Sequence, residues 1–364
     1  MILNRYLIAE IIKPLISMVA VLVIIFAAHS TNRYLADATF GLMSIKTIIF
    51  IILLKVLIAL EVVLPTSLYL SVIVGIGRLY NDNEMTALFA SGVSLCRVLA
   101  VVFVLSLPVA LLGGSLSLAV RPWAYEQFFW LKAKAKAEFD VTRLKAGRFY
   151  KIGEGDRFIF IEKIDQTRQR AEGVFMEKDP KEGNDLLEVV YAKEAYQRLD
   201  PATGRQVIFF LNACRYELPR TGEGKGRVME SAQYTVSLWP KEITPLEYKT
   251  KAASTFYLAR SKNPSDIAEL QWRMLSPLST LLLALLGVPL SRIETRKGKH
   301  ANLPIGIIIY GFYYSIVTVA KLGVQQSQIP PWLGIWWVQG LLAVVLLILL
   351  LNPSQQCWSH PRCR

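Results

Sequence analysis

The strongest constraint on this chain is the arrangement of its apolar runs. Three such runs come first, a polar segment of about 130 residues follows, and three more apolar runs come after it. Apolar runs of about 20 residues are typical of membrane-spanning helices. The sequence therefore predicts a membrane α+β protein with six transmembrane helices, three on each side of an inserted β domain, and excludes a soluble enzyme. The predicted spans are residues 14–34, 47–77, 95–120, 270–290, 302–322 and 332–351.

The same runs divide the chain into domains. The predicted parts are an N-terminal membrane half (1–136), an inserted domain (137–265), a C-terminal membrane half (266–351) and a tail (352–364). The N-terminal half opens on residues 1–13, whose apolar residues at helical spacing predict an interfacial helix.

The inserted domain has the signature of β structure. Alternating sequence predicts strands at residues 157–162 and 233–239, and a hairpin made of residues 187–199 and 206–218. Short strands separated by turn residues favour a sandwich or a jelly roll.

Charge sets the expected orientation. The net charge is +13, and Lys and Arg residues collect on one side of the predicted spans. Because basic residues are enriched in cytoplasmic loops, we expect both termini in the cytoplasm and the β domain outside, which in a bacterium is the periplasm. No basic run with interleaved aromatics indicates nucleic-acid binding. The residues on the basic side are Arg5, Lys13, Arg78, Arg97, Arg292, Arg296, Lys297 and Lys299.

No motif indicates catalysis by this chain. The glycine-rich residues 222–226 lack the spacing of a phosphate-binding loop, and no H-E-x-x-H is present. Cys357, His360 and Cys363 lie close together but lack a fourth metal ligand. We therefore expect no catalytic residue, no metal and no cofactor in this chain.

The segment after the second apolar run has helix-forming features. Asn81, Asp82 or Asn83 can cap a short helix that begins near Glu84. Three apolar residues then share one face at spacings of three and four: Met85, Leu88 and Phe89. This segment suits docking into a groove of a cytoplasmic partner, but it equally suits an interfacial helix that rests on lipid.

Several charged residues lie within or beside the predicted spans. Lys55 and Glu61 are inside the second span, while Arg33 and Lys321 close the first and fifth. Arg33 and Lys321, together with the cations after the third span, predict a rim of positive charge at the outer leaflet. This rim either anchors the protein to headgroups or recognises an anionic lipid. The cations after the third span are Lys132, Lys134 and Lys136.

Three stretches resemble the YjgP/YjgQ permeases, the family of the LptF and LptG subunits of the lipopolysaccharide transporter. They are GRLYNDNEMTALFASGVS (77–94), AKAEFDVTRLKAGRFY (135–150) and AELQWRMLSPLSTLLLALLGVPLS (268–291). The second stretch and the register of the third are more similar to LptF than to LptG. The resemblance extends to about residue 351.

The resemblance implies a set of partners. A second, LptG-like permease would pair with this chain in the bacterial inner membrane, and an LptB-like cytoplasmic ABC ATPase dimer would bind ATP and Mg²⁺. A coupling helix at about residues 78–91 would enter a groove of that ATPase, with Glu84 as the coupling carboxylate. The periplasmic jelly roll would pass lipopolysaccharide to an LptC/LptA-like bridge.

The resemblance also implies lipid contacts. Arg33 and Lys321 are the first candidates for lipid A phosphates, Lys55 is weaker, and Lys132, Lys134 and Lys136 are weaker again. Apolar residues of the β domain would line a lipid path, although alternating apolar residues commonly form only a core. The candidates for that path are Phe158, Phe160, Val189, Tyr191, Ile208 and Phe210.

Two other functions stay open at the level of sequence. A proton-coupled secondary transporter would use Glu61 as its proton site. A scaffold or signal-transmitting protein would relay periplasmic binding without moving lipid.

Overall fold

The computed structural model describes most of the chain, which divides into two compact units. The described residues are 2–39, 45–137, 146–152, 157–165, 170–178, 186–199, 206–219, 226–237, 249–292 and 302–351. The helical unit comprises Met1–Ser30, Ile52–Phe128 and Tyr248–Arg364, and the sheet unit comprises Thr31–Ile51 and Phe129–Glu247.

Nine α-helices and one π-helical turn are present in the described residues. They are α1 (Ile2–Thr39), α2 (Ile45–Asn81), α3 (Glu84–Ala90), α4 (Leu95–Ser115), the π-helical turn (Leu116–Val120), α5 (Arg121–Ala137), α6 (Thr255–Arg260), α7 (Pro264–Leu290), α8 (Asn302–Gln325) and α9 (Trp336–Leu351).

Five of the described helical segments are long and apolar enough to cross a membrane: Ile2–Tyr34, Ile45–Asn81, Leu95–Lys134, Pro264–Leu290 and Leu303–Gln325. The sixth apolar helix, α9, has 16 residues. At about 1.5 Å per residue it is shorter than a hydrocarbon core of ~30 Å. The prediction of membrane-spanning helices is confirmed, and the count of six spans stays a prediction.

The predicted interfacial helix of residues 1–13 is not separate, since α1 continues through Pro14. A proline has no N–H to donate to the carbonyl four residues earlier. That carbonyl, on Glu10, instead faces Gly75 of α2, where an added Cβ would lie 2.8 Å from the oxygen. The glycine thus lets α1 and α2 approach closely, and burial of Leu7 and Ile11 holds the first turns of α1 in place.

Helix α7 is the centre of the helical unit. It packs against α4, α8 and α9, and its buried face carries small residues such as Ser279, Ala284 and Gly287. Small residues at helix interfaces allow close packing in membranes. At Gly287 an added Cβ would lie 2.9 Å from Val72 of α2, so this crossing requires glycine.

The sheet unit contains one six-stranded antiparallel sheet. Its strands pair in sequence order, from β1 to β6. The strands are β1 (Arg148–Ile152), β2 (Arg157–Asp165), β3 (Arg170–Lys178), β4 (Leu186–Leu199), β5 (Gln206–Pro219) and β6 (Arg227–Ser237). The predicted strand at 157–162 and the predicted hairpin are confirmed, and β6 begins six residues before the predicted 233–239. The jelly roll stays a prediction.

The strands do not keep one alternation of buried and exposed residues from end to end. On β4 the buried residues are Val190 and Ala192, then Ala195, so the period of two is interrupted once. Left-handed residues lie at the matching position of neighbouring strands, at Gly173 (φ 62°) and Asn212 (φ 49°). Because the interruption occurs at the same level in these strands, the residues before it and after it bury their apolar side chains on the same face of the sheet.

A polar cluster around one carboxylate joins four strands of the sheet, β3 to β6. Glu188 on β4 accepts a hydrogen bond of 2.8 Å from the Tyr234 hydroxyl and forms ion pairs with Lys178 and Arg215. Burial alone would raise the pKa of Glu188, but Tyr234 and the two cations outweigh it and hold the pKa below the usual 4.5. Burial and the bond to Glu188 raise the pKa of Tyr234 to about 12.

We predict that the sheet loses stability in acid, chiefly through Glu188. Because its folded pKa is lowered, its contribution is present above the unfolded pKa and disappears as the pH falls through the folded value. Hydrogen-exchange protection of β3–β6 in the full chain, measured against urea after equilibration at each pH and labelled at one fixed pH, should therefore weaken below about pH 4.5. Glu188→Gln should flatten this dependence.

The matched control is Glu194→Gln, which removes an exposed ion pair with Arg170. Exposed pairs contribute little, so this variant should keep the acid dependence. Equal acid dependence in the native chain and in Glu188→Gln would refute the assignment.

Candidate functional site

The first candidate region is the short helix α3 and the part of α1 beside it. Glu84 begins α3, and its Oε2 atom accepts a hydrogen bond of 2.5 Å from the Tyr6 hydroxyl. Asn83 occupies the N-cap position in the left-handed conformation, with φ of 59°, and its side chain makes no capping bond. The predicted start of the helix and the cap position are confirmed at Asn83, but the hydrogen bond that a capping side chain can accept is absent there.

The apolar face of α3 is divided between core and surface. Met85 is fully buried, in a core that also contains Leu7 and Ile11 of α1. Leu88 and Phe89 pack against the edge of this core and keep part of their surface exposed. Glu84, Leu88 and Phe89 are hereafter called the α3 surface. Met85 fixes this surface to the helices below it.

Ion pairs also join α1 to the end of α2. Arg78 pairs with Glu10 and, at 3.4 Å, with Asp82. Lys13 lies 3.8 Å from Glu10. The carboxylate of Glu10 is buried, so these pairs compensate a charge that would otherwise be costly.

The second candidate region is a buried ionic network between the helices. Arg121, the first residue of α5, contacts two carboxylates: Glu61 of α2 at 2.5 Å and Glu269 of α7 at 3.0 Å. Glu269 also binds Lys321 of α8 at 2.6 Å and Arg273 of α7 at 3.4 Å. All five side chains are buried or nearly so. This ionic network therefore connects four helices.

Neutral groups complete the contacts of Glu61. Its Oε1 atom accepts hydrogen bonds from the Ser117 hydroxyl at 2.7 Å and from the Trp272 indole at 3.2 Å. Ser117 lies in the π-helical turn, so the irregular turn brings its hydroxyl to the network.

Arg273 connects the network to the chain that returns from the sheet unit. Its guanidinium donates to the carbonyls of Ala253 at 3.0 Å and Lys251 at 3.2 Å, and to the hydroxyl of Thr255 at 3.0 Å. The network holds three cations and two carboxylates, and these oxygens help to offset the excess positive charge. The arrangement fixes residues 250–255 on α7.

A cavity of about 50 Å³ lies beside Glu61 and Trp272. Its wall includes Tyr310, Tyr313 and Tyr314. Ligand pockets usually measure about 300–1,000 Å³, so this cavity is too small for a lipid chain.

The predicted lipid-binding cations have different surroundings. Lys321 is engaged by Glu269 and lies over the Trp272 ring at 4.6 Å. Lys55 lies 3.9 Å from the centre of the Phe128 ring. In the sheet unit, Arg33 and Lys132 have exposed side chains, and Lys134 lies 5.3 Å from the Trp130 ring. The side chain of Lys136 lies outside the described residues.

The predicted lipid path falls on both faces of the sheet. Four of its residues, on β2 and β4, alternate with buried core residues and lie on the other face: Phe158, Phe160, Val189 and Tyr191. Tyr191 is 46% exposed, whereas Phe210 and Ile208 are fully buried in the core. The interruption of the alternation separates Phe210 and Ile208 from the other four.

Several residues of these regions were not predicted from the sequence. Tyr6, Arg121, Glu269 and Arg273 were not singled out because they lie near the ends of predicted spans, where charged and amphipathic residues are ordinary. A signal was available in residues 269 and 273, since opposite charges four residues apart in an apolar helix indicate pairing.

Among the described residues, no cluster of His, Cys, Asp and Glu is suited to a metal ion. Cys357, His360 and Cys363 lie outside the described residues.

Comparison with known proteins gives this arrangement a family. The family model described as lipopolysaccharide export system permease LptF/LptG matches residues 5–352. The chain is 26% identical over 361 residues to the lipopolysaccharide export system permease protein LptF of Escherichia coli strain K12, with 97% of this chain and 94% of the relative covered. The LptF protein of Shigella flexneri gives the same values. These matches confirm the resemblance found in the sequence.

We predict that Glu269→Gln strongly destabilises the helical unit. The change leaves Arg121, Arg273 and Lys321 buried with one carboxylate in place of two. Breaking a buried ion pair costs about 3–5 kcal/mol, so the thermal unfolding temperature in detergent should fall clearly. Adding Lys321→Met should restore part of the loss, because it removes one unpaired cation.

The control for this prediction is Glu126→Gln, an exposed carboxylate on α5. Its unfolding temperature should equal that of the native chain. If Glu269→Gln behaves like Glu126→Gln, the ionic network does not stabilise the protein.

Proposed function

This chain belongs to the LptF/LptG family of lipopolysaccharide export system permeases, and we propose that it is the permease subunit of an ABC-type exporter. In this proposal it extracts lipopolysaccharide from the outer leaflet of the inner membrane and passes it to an LptC/LptA-like periplasmic bridge. A second, LptG-like permease completes the membrane path. ATP and Mg²⁺ are bound by an LptB-like ATPase, so this chain is a transport subunit without catalytic residues of its own.

We propose a topology with six spans, in which α9 is the sixth. The apolar helices and the permease family support the inner membrane as its location. The distribution of Lys and Arg supports cytoplasmic termini and a periplasmic sheet unit. The prediction of a jelly roll is retained for the complete inserted domain.

The energetics of the cargo support this division of work. Exposing a lipid chain to water costs about 0.8 kcal/mol per CH₂ group. Lipopolysaccharide has several acyl chains, so its removal from the bilayer requires both sheltered surfaces and an energy source. Phe158, Phe160, Val189 and Tyr191 are proposed as the sheltered surface because they share the less buried face of the sheet. Phe210 is a weaker candidate since it is fully buried.

The observation that carries the coupling proposal is the α3 surface. Glu84, Leu88 and Phe89 lie on a short helix between two predicted spans and remain partly exposed, while Met85 anchors that helix. We propose that this surface enters a groove of the ATPase and that Glu84 pairs with a basic residue there. A rigidly anchored carboxylate can transmit movement from the ATPase to the spans.

For lipid A phosphates we propose Arg33 as the first contact. Its side chain is exposed, whereas Lys321 is held by Glu269 and would meet a phosphate only after that pair opens. Lys55, Lys132, Lys134 and Lys136 are secondary candidates. The contacts of Glu61 give no support to a proton-coupled transporter, and no observation favours a scaffold.

We predict that Glu84→Ala impairs coupling and leaves the fold intact. The variant removes the carboxylate from the α3 surface, while Met85 and the core below it are unchanged. In reconstituted complexes, ATP-dependent release of lipopolysaccharide should fall at least tenfold, since a hydrogen bond to a charged group is worth about 1.5–3 kcal/mol. The control Thr86→Ala changes an exposed neighbour on α3 and should keep release. Native release from Glu84→Ala would remove Glu84 from the coupling role.

We predict that a photo-crosslinking residue at Arg33 captures lipopolysaccharide. The same residue at Lys13, which is 71% exposed and lies at the opposite end of the first predicted span, should capture none. Adducts are measured by mass spectrometry of the folded protein. Equal labelling at both positions, or none at Arg33, would exclude Arg33 from the lipid site.

A further inference from the structure

The contact between Tyr6 and Glu84 joins two elements that are far apart in sequence. The Tyr6 hydroxyl of α1 donates to the Oε2 atom of Glu84 at 2.5 Å. Within the described residues, Tyr6 is the one hydrogen-bond partner of this carboxylate, and the other oxygen, Oε1, accepts no hydrogen bond from them. Hydrogen bonds between a hydroxyl and a carboxylate are short and strong compared with neutral ones.

The structure holds Tyr6 at a fixed place. The next residue, Leu7, and Ile11 one turn later are both 1% exposed, and the Glu10 carboxylate pairs with Arg78 at the end of α2. The close approach at Gly75 fixes the same turn of α1 against α2. Tyr6 therefore has little freedom to follow Glu84 if the carboxylate moves.

The contact is also accessible. Tyr6 is 40% exposed and Glu84 is partly exposed, so a side chain from another protein can reach the carboxylate without displacing the phenol. A carboxylate can accept from two donors at once, one on each oxygen.

We propose that Tyr6 is a positioning residue for Glu84. Its hydroxyl restrains the carboxylate to one orientation on the α3 surface and leaves Oε1 to accept from the basic residue of the ATPase. A long acidic side chain loses several rotamers when it is bound, and Tyr6 imposes part of that ordering before the ATPase arrives. This inference rests on the proposed coupling role of Glu84.

The test is the affinity of the ATPase for the complete permease pair in nanodiscs, compared between the native chain and Tyr6→Phe. Phenylalanine keeps the ring and removes the hydroxyl. We expect roughly three- to tenfold weaker binding of the ATPase, because the Glu84 rotamers that Tyr6 restricts must then be restricted on binding, with an unchanged KM for ATP. The control is Tyr69→Phe, which removes a fully buried hydroxyl that makes no hydrogen bond, and this variant should bind as the native chain does.

A double-mutant cycle separates positioning from general structure. In the Glu84→Gln background, Tyr6→Phe should cause little further loss, because the charged acceptor is already absent. Tyr6→Phe with native affinity, or losses that multiply in the double variant, would overturn the positioning role. Misfolding of Tyr6→Phe would also appear as multiplied losses.

The cycle also distinguishes failure of the positioning role of Tyr6 from failure of the coupling role of Glu84. If Glu84→Gln weakens binding and Tyr6→Phe does not, the Tyr6 inference alone fails. If Glu84→Gln binds the ATPase with native affinity, the coupling role of Glu84 fails, and the role of Tyr6 fails with it.

Discussion

The packing of the helical unit depends on buried ion pairs, because charges that are removed from water require partners of opposite charge. Arg121 joins Glu61 and Glu269, and Glu269 in turn holds Lys321 and Arg273. Buried charges are stable only with partners, so α2, α5, α7 and α8 must keep their relative positions. Through Arg273 the same network fixes the segment that returns from the sheet unit.

A second set of charges organises the other candidate region. There Glu10, Arg78 and Asp82 join α1 to α2, and Tyr6 joins α1 to Glu84 of α3. The fully buried Met85 holds α3 against the same core. A carboxylate fixed in this way can transmit force between a partner and the spans, which a loosely held surface residue cannot do. This is the physical basis of the proposed coupling.

The sequence predicted the elements better than their contacts. Apolar runs and alternation located the long helices, β2 and the β4–β5 hairpin, because those patterns repeat along the chain. They did not reveal the role of Arg121 or Glu269, since pairing between distant helices leaves no local pattern. Lys321 was predicted to contact lipid from its position at the end of a span. That position did not show that Lys321 forms an ion pair with Glu269. The prediction assumed that buried and exposed residues alternate without a break along each strand. The interruption at Gly173 and Asn212 places Phe210 on the opposite face from most of the other predicted path residues.

We propose that this chain works as one permease of an ATP-driven lipopolysaccharide exporter. The most direct measurement is affinity purification of the full chain from native membranes in mild detergent, with mass spectrometry of the bound proteins and an assay of ATP-dependent lipopolysaccharide release. We expect recovery of a second permease of the same family together with an ABC ATPase, and release that requires ATP. Recovery of the well-folded chain alone, or release independent of ATP, would contradict it.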